Sequence, residues 1–109
     1  MGFRKSTLSE IKREAGRYLD FLKKDGAKIR AAYLFGSFAE GKQRRDSDVD
    51  LLISVSGFKN WLDAGVYLHK KLYEFKPRFH FDIIGHSGVR LDPGIPLESE
   101  VLRKGIRLN

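Results

Sequence analysis

An α+β fold, a small mixed β-sheet with helices packed on one face, is predicted by the succession of hydrophobic periods along these 109 residues. Three observations carry that prediction. Two long stretches repeat apolar residues at three- and four-residue steps, as helices do. Three short runs, Ala31 to Phe35, Asp48 to Ile53 and Arg78 to Ile84, are continuously apolar or alternate at every second residue, as strands do. Turn residues such as Asp25-Gly26 and Pro93-Gly94 separate the periods. The order reads helix, strand, short helix, strand, helix, strand, helix. It fits one domain over 1–109, with no repeat, low-complexity segment or linker.

Each element has its own local reason. Thr7 followed by Glu10 opens the first helix as a capping box, and Leu8, Ile11, Ala15, Tyr18 and Leu22 form its core stripe until Asp25-Gly26 ends it. Ala31 to Phe35 then reads as a buried strand stopped by Gly36, whose missing Cβ lets backbone approach a ligand closely. Ser37 offers a hydroxyl at the start of the short helix, and with Glu40 it also makes a capping box. The second long helix runs from about Phe58 to Phe75, with Phe58, Trp61, Gly65, Leu68, Leu72 and Phe75 in register; a glycine there costs up to about 1 kcal/mol and suggests close packing at Gly65. Pro77 ends that helix and delivers the chain into the third strand. Gly85 to Pro96 reads as a loop, Leu97 to Leu102 as a short helix stopped by Gly105, and Ile106 to Leu108 as extended.

The chemistry concentrates in LFGSFAEGKQRRDSDVDLLI. Gly36-Ser37 is followed, after ten intervening residues, by Asp48-Val49-Asp50. Side chains alternate along a strand, so Asp48 and Asp50 share one face while Val49, Leu51 and Ile53 turn to the other. Their Cα atoms then lie roughly 6.6 Å apart, and carboxylates at that spacing can close on a metal pair about 3.5 to 4 Å apart. Mg²⁺ suits them as a hard cation that takes oxygen ligands and substrate phosphates. In the third strand His80, Asp82 and Ile84 share a face. If that strand lies beside the second, Asp82 joins the other two carboxylates and can also act as a general base toward an attacking hydroxyl.

These residues, Gly36-Ser37, Gly41, Ser47-Asp48-Val49-Asp50-Leu51-Leu52 and Asp82, with the closing segment Val101 to Ile106, resemble the minimal nucleotidyltransferases of the DNA polymerase β superfamily over most of the chain. The resemblance implies a polymerase β-like nucleotidyltransferase fold and transfer of a nucleoside monophosphate, AMP from ATP first among them, to a hydroxyl acceptor. It implies that Asp48 and Asp50 hold two Mg²⁺ ions, that Gly36 and Ser37 hold the triphosphate, and that Asp82 ligates the catalytic metal and helps deprotonate the acceptor. Many similar proteins are antitoxins encoded beside a HEPN-domain partner, and some adenylylate a tyrosine on it. The expected partner is therefore a HEPN-type toxin, or a second copy of the chain, that supplies the acceptor site. Two alternatives remain: a non-catalytic antitoxin that neutralises its partner by contact, and an RNA-end nucleotidyltransferase.

Composition bounds these readings. No cysteine is present, which excludes disulfides and thiolate catalysis and fits a reducing cytoplasm. No apolar run reaches the ~20 residues of a membrane span, and Met1 to Ser6 lack a signal-peptide core. The net charge of +7 concentrates nucleotides, RNA or acidic protein near the surface. Its cations are scattered, as in Lys12-Arg13, Arg44-Arg45 and Lys70-Lys71, so nucleic acid is only weakly supported as a partner. Arg44 and Arg45 read as solvated loop charge, Asp92 before Pro93-Gly94 as a turn residue, and His69 and His86 as lacking zinc-ligand spacing.

Overall fold

The capping box and the apolar stripe act together at the first helix. α1 (Leu8–Lys24) starts where Thr7 Oγ1 accepts from the Glu10 N–H at 3.1 Å and the Glu10 carboxylate accepts from the Thr7 N–H at 3.2 Å. Ile11, Ala15, Tyr18, Leu19 and Leu22 are buried on one side of it. The computed structural model describes residues 7–41 and 48–109; Ser47, Arg44, Arg45 and the first six residues lie outside the described residues. The other elements are β1 (Ile29–Phe35), β2 (Val49–Val55), α2 (Trp61–Phe75), β3 (Phe81–His86), α3 (Pro96–Lys104) and β4 (Ile106–Arg107).

The sheet order is β3-β2-β1-β4. β1 is antiparallel to both β2 and β4, whereas β2 and β3 are parallel, a pairing that requires a crossover and obtains it from α2. The sheet is therefore mixed. Val49, Leu51, Ile53 and Val55 of β2 pack with the buried stripe of α1 and with Ala64 and Leu68 of α2 in the main core. Tyr18, wholly buried, donates its hydroxyl to the Leu68 carbonyl at 2.6 Å and so ties α1 to α2. Burial holds that phenol well above its ordinary pKa, so it stays a neutral donor.

Four local expectations are amended. Residues 36–41 form turns rather than a helix: the Glu40 N–H donates to the Gly36 carbonyl at 3.1 Å, and Gly41 at φ 72° closes the single turn. α2 begins at Trp61 and not at Phe58, because Asn60 caps it by accepting from the Asp63 N–H at 2.9 Å. α3 is longer than expected at both ends, with Pro96 in the first turn where its missing N–H costs nothing. β3 runs on through Gly85 rather than ending at Ile84, and the close packing expected at Gly65 is found there: a Cβ at Gly85 would stand 2.6 Å from the Gly65 nitrogen, although a Cβ at Gly65 itself would meet nothing within 4 Å.

α3 also covers part of the sheet face opposite α1 and α2, which the sequence reading leaves open. Leu52, Leu91 and Val101 are buried together there, with Tyr33, Phe35, Ile84 and Leu97 packed around them. What stays uncovered is the end of that face where β2 and β3 begin: Asp82 is exposed and Asp50 half-buried.

Candidate active site

Asp50 stands at the centre of the site because strand register places it there. Across the antiparallel pair it opposes Phe35, the residue before Gly36; across the parallel pair it opposes Asp82. Neighbouring strands are about 4.8 Å apart and opposed residues share a face, so the carboxylates of Asp50 and Asp82 project side by side. Gly36 takes φ 75°, and a Cβ built on it would overlap the Asp50 carboxylate. Only glycine allows the turn to press on that aspartate. The half-buried Ser37 follows directly in the same turn.

Asp48 lies immediately before β2. Its carboxylate meets His80 Nδ1 at 2.8 Å, while the Val49 N–H donates to the His80 carbonyl at 2.9 Å. Both side chains of that pair are exposed. Burial, then the charges of Asp82 and Asp48, push the Asp50 carboxyl above the ordinary carboxylate range. Negative charge is thus crowded at one end of the sheet, and no cationic side chain pairs with Asp50 or Asp82 among the described residues.

The family profile for polymerase β nucleotidyltransferases (Polymerase beta, Nucleotidyltransferase) matches residues 18–108. The chain belongs to that family. This nucleotidyltransferase is also 37% identical over 71 residues to a Methanocaldococcus jannaschii protein named as a candidate protein adenylyltransferase, a match spanning 61% of this chain and 70% of the relative. Among solved structures, a mutant of the toxin-antitoxin MntA-HpeT superposes with a TM-score of 0.57 at 18% identity, covering 86% of this chain and 71% of the other, a likeness of fold. The chemistry of the family, transfer of a nucleotidyl group, makes this chain a transferase.

In this nucleotidyltransferase the residues expected at the site from the sequence are brought to one end of the sheet: Gly36, Ser37, Asp48, Asp50 and Asp82. The donor set fits a hard divalent cation, since three carboxylates supply oxygen ligands and their mutual repulsion is what such a cation relieves. Asp48 is turned toward His80, and among the described residues no three acidic or imidazole side chains converge on one point.

Sequence reasoning put His80 on the right face but did not give its contact with Asp48, which follows from the β2–β3 register. It missed Glu14 entirely. That carboxylate, buried on the α1 stripe, accepts from Arg17 Nη1 at 2.7 Å and from the Arg78 N–H at 2.7 Å, which fixes the approach to β3. The signal was present as an acid in a core-facing position. His86 meets Ser54 Oγ at 2.9 Å and Glu98 at 3.2 Å, linking the sheet to α3. His69 donates to the Ile83 carbonyl at 2.9 Å, and Asp92 accepts from the Gly94 N–H at 2.8 Å as a turn residue. Neither lies among the three carboxylates.

Proposed function

We propose that this nucleotidyltransferase moves AMP from ATP to a hydroxyl on a partner protein, a HEPN-type toxin being the expected acceptor. The observation that carries the reading is the placement of Asp50 between Gly36 and Asp82, which sets a tight turn suited to phosphates against paired carboxylates. The naming of the M. jannaschii relative supports adenylyl transfer, and the toxin-antitoxin fold neighbour supports a protein partner. We assign residues 1–109 to one domain, and the cytoplasm to it because a chain without cysteine suits a reducing compartment. Separately, no helix among the described residues is long and apolar enough to cross a membrane.

In this mechanism Gly36 and Ser37 hold the triphosphate, the turn backbone approaching it closely and the Ser37 hydroxyl donating to a phosphate oxygen. Asp48, Asp50 and Asp82 would hold two Mg²⁺, which when bound neutralise phosphate charge and favour in-line displacement. Asp82, exposed at the sheet edge, accepts the proton of the incoming hydroxyl. The acceptor oxygen bonds to the α-phosphorus, the α–β phosphoanhydride bond breaks, and pyrophosphate leaves with the electron pair. Asp50, the register partner of both Phe35 and Asp82, stands where the Gly36 turn meets the paired carboxylates, in a position set by the strand pairing.

The direct check is pyrophosphate release from ATP and Mg²⁺ in the presence of the protein encoded beside this chain. Release should require that protein and should disappear in Asp48→Asn and Asp50→Asn, each shown to be folded by circular dichroism. A folded double variant releasing pyrophosphate at the normal rate would falsify the assignment.

A further inference from the structure

α2 seats one side on the core, where Tyr67, Leu72 and Phe75 pack around Ala64 and Leu68, and turns the other outward. Ala64 and Leu68 are its buried residues, whereas Trp61, Leu62, Val66 and Tyr73 are 63%, 57%, 64% and 84% exposed. Leu62, Val66 and Tyr73 fall at helical steps on one outward face, with His69 between them. Contiguous exposed apolar surface rimmed by polar residues is characteristic of interaction sites. Beside it runs β3, an edge strand of the sheet.

Two hollows join along this seam and share His69. One, of about 400 Å³, lies between Leu62 and Val66 of α2 and Ile83 of β3. The other, of about 780 Å³, continues past Tyr73 and Lys76 and ends at Asp82. The stripe therefore leads to the carboxylate that stands beside the acceptor. The seam is also closed to backbone pairing at its middle, because His69 Nε2 already occupies the outward Ile83 carbonyl. It receives side chains rather than an added strand.

Charge selects among the occupants. Lys76 and Arg78 line the same hollow as Asp82, and neither side chain forms an ion pair among the described residues. A second copy of the chain would bring another net +7 against them. A nucleic acid would match the charge but would leave Leu62, Val66 and Tyr73 against sugar and phosphate. We infer that the seam between α2 and β3 docks the acceptor protein through an acidic segment, whose apolar side chains seat on Leu62, Val66 and Tyr73, whose carboxylates meet Lys76 and Arg78, and whose hydroxyl reaches Asp82. This rests on the proposed transfer to a partner hydroxyl.

Trp61 is the only tryptophan of the chain and borders the seam, so its emission reports occupancy without any need for turnover. The full chain is titrated with a random Glu-Tyr copolymer, which offers carboxylates, rings and hydroxyls, under excitation that spares tyrosine. Controls are a Lys-Tyr copolymer and polyadenylate. The expected result is a saturable blue shift with the Glu-Tyr polymer alone. It should weaken about tenfold in Lys76→Glu/Arg78→Glu, as truncation or reversal of complementary charge does at interfaces, and comparably in Leu62→Ser/Val66→Ser, whose side chains are exposed enough to leave the fold intact. Asp48→Asn should bind the polymer as the unaltered chain does, so that failure of transfer and failure of docking are read separately. No shift, an equal or larger shift with Lys-Tyr polymer or polyadenylate, or a concentration-dependent shift with no polymer, each overturns the inference.

Discussion

Replacing Asp50 by Asn should stabilise the protein in the absence of divalent cations while removing its activity, because the carboxylate is held against like charge. Asp50 and Asp82 are register partners on adjacent strands, about 4.8 Å apart at the backbone. At that distance two unit charges repel by about 0.9 kcal/mol in water and about 3.5 kcal/mol at an effective dielectric of 20. Both groups are partly wet, so the lower end applies, ~1 kcal/mol after screening. For a domain of this size that corresponds to a rise in Tm of about 4 °C at neutral pH. The sign with pH follows from the raised Asp50 pKa. A carboxyl whose folded pKa lies above its unfolded value stabilises the fold fully below the unfolded pKa, about 3.9, and that contribution is lost as pH rises through the folded pKa. The Asn variant escapes the loss, so the two melting curves should separate at neutral pH and converge in acid. Scanning calorimetry with chelator present reads both. A lower Tm for Asp50→Asn at neutral pH, or a gap that persists below the carboxylate range, would refute the reasoning, since it would mean that Asp50 makes favourable contacts unrelated to charge crowding.

Adding Mg²⁺ should raise the Tm of the unaltered chain and leave Asp50→Asn nearly unmoved; equal shifts in both would detach cation binding from this carboxylate. Gly36→Ala meets both a left-handed backbone and the Asp50 carboxylate, so urea titration should show a loss of at least about 1 to 2 kcal/mol together with weakened ATP binding. Gly85→Ala drives a methyl into the α2 backbone at Gly65 and should cost about 1 to 3 kcal/mol without changing ATP affinity in the fraction that remains folded. Thr7→Ala removes one half of a capping box far from the carboxylates, and about 1 kcal/mol of stability should go with no change in transfer rate.

The parts of this molecule that local chemistry decides were legible in its sequence. α1 could be placed to within a residue, because a capping box, an apolar stripe and Asp25-Gly26 each act within a few positions of one another. The sharing of a face by Asp82 and Ile84, and the burial of Val49, Leu51 and Ile53, follow from the two-residue period alone. Long-range register was not legible. That His80 meets Asp48 depends on β2 and β3 lying parallel with Val49 opposite Phe81, and neither segment encodes that pairing by itself. The cover of the second face by α3 was hidden for the same reason: Leu52 alternates like an outward residue until Leu91 and Val101, remote in the chain, fold over it. The turn after Gly36 reads as a helix in the sequence because Ser37 and Glu40 carry a helix-start signal, yet Gly41 ends the run after a single turn.

The carboxylates beside Gly36 are proposed to drive adenylyl transfer to a partner hydroxyl. It is tested most directly by incubating the chain with α-labelled ATP, Mg²⁺ and the protein encoded beside it, then locating the label by mass spectrometry. One adenylyl group is expected on a hydroxyl side chain of that partner, absent when Asp48→Asn or Asp50→Asn replaces the unaltered chain. Undiminished label with either folded variant, or no label on a partner that nonetheless forms a stable complex, would contradict it.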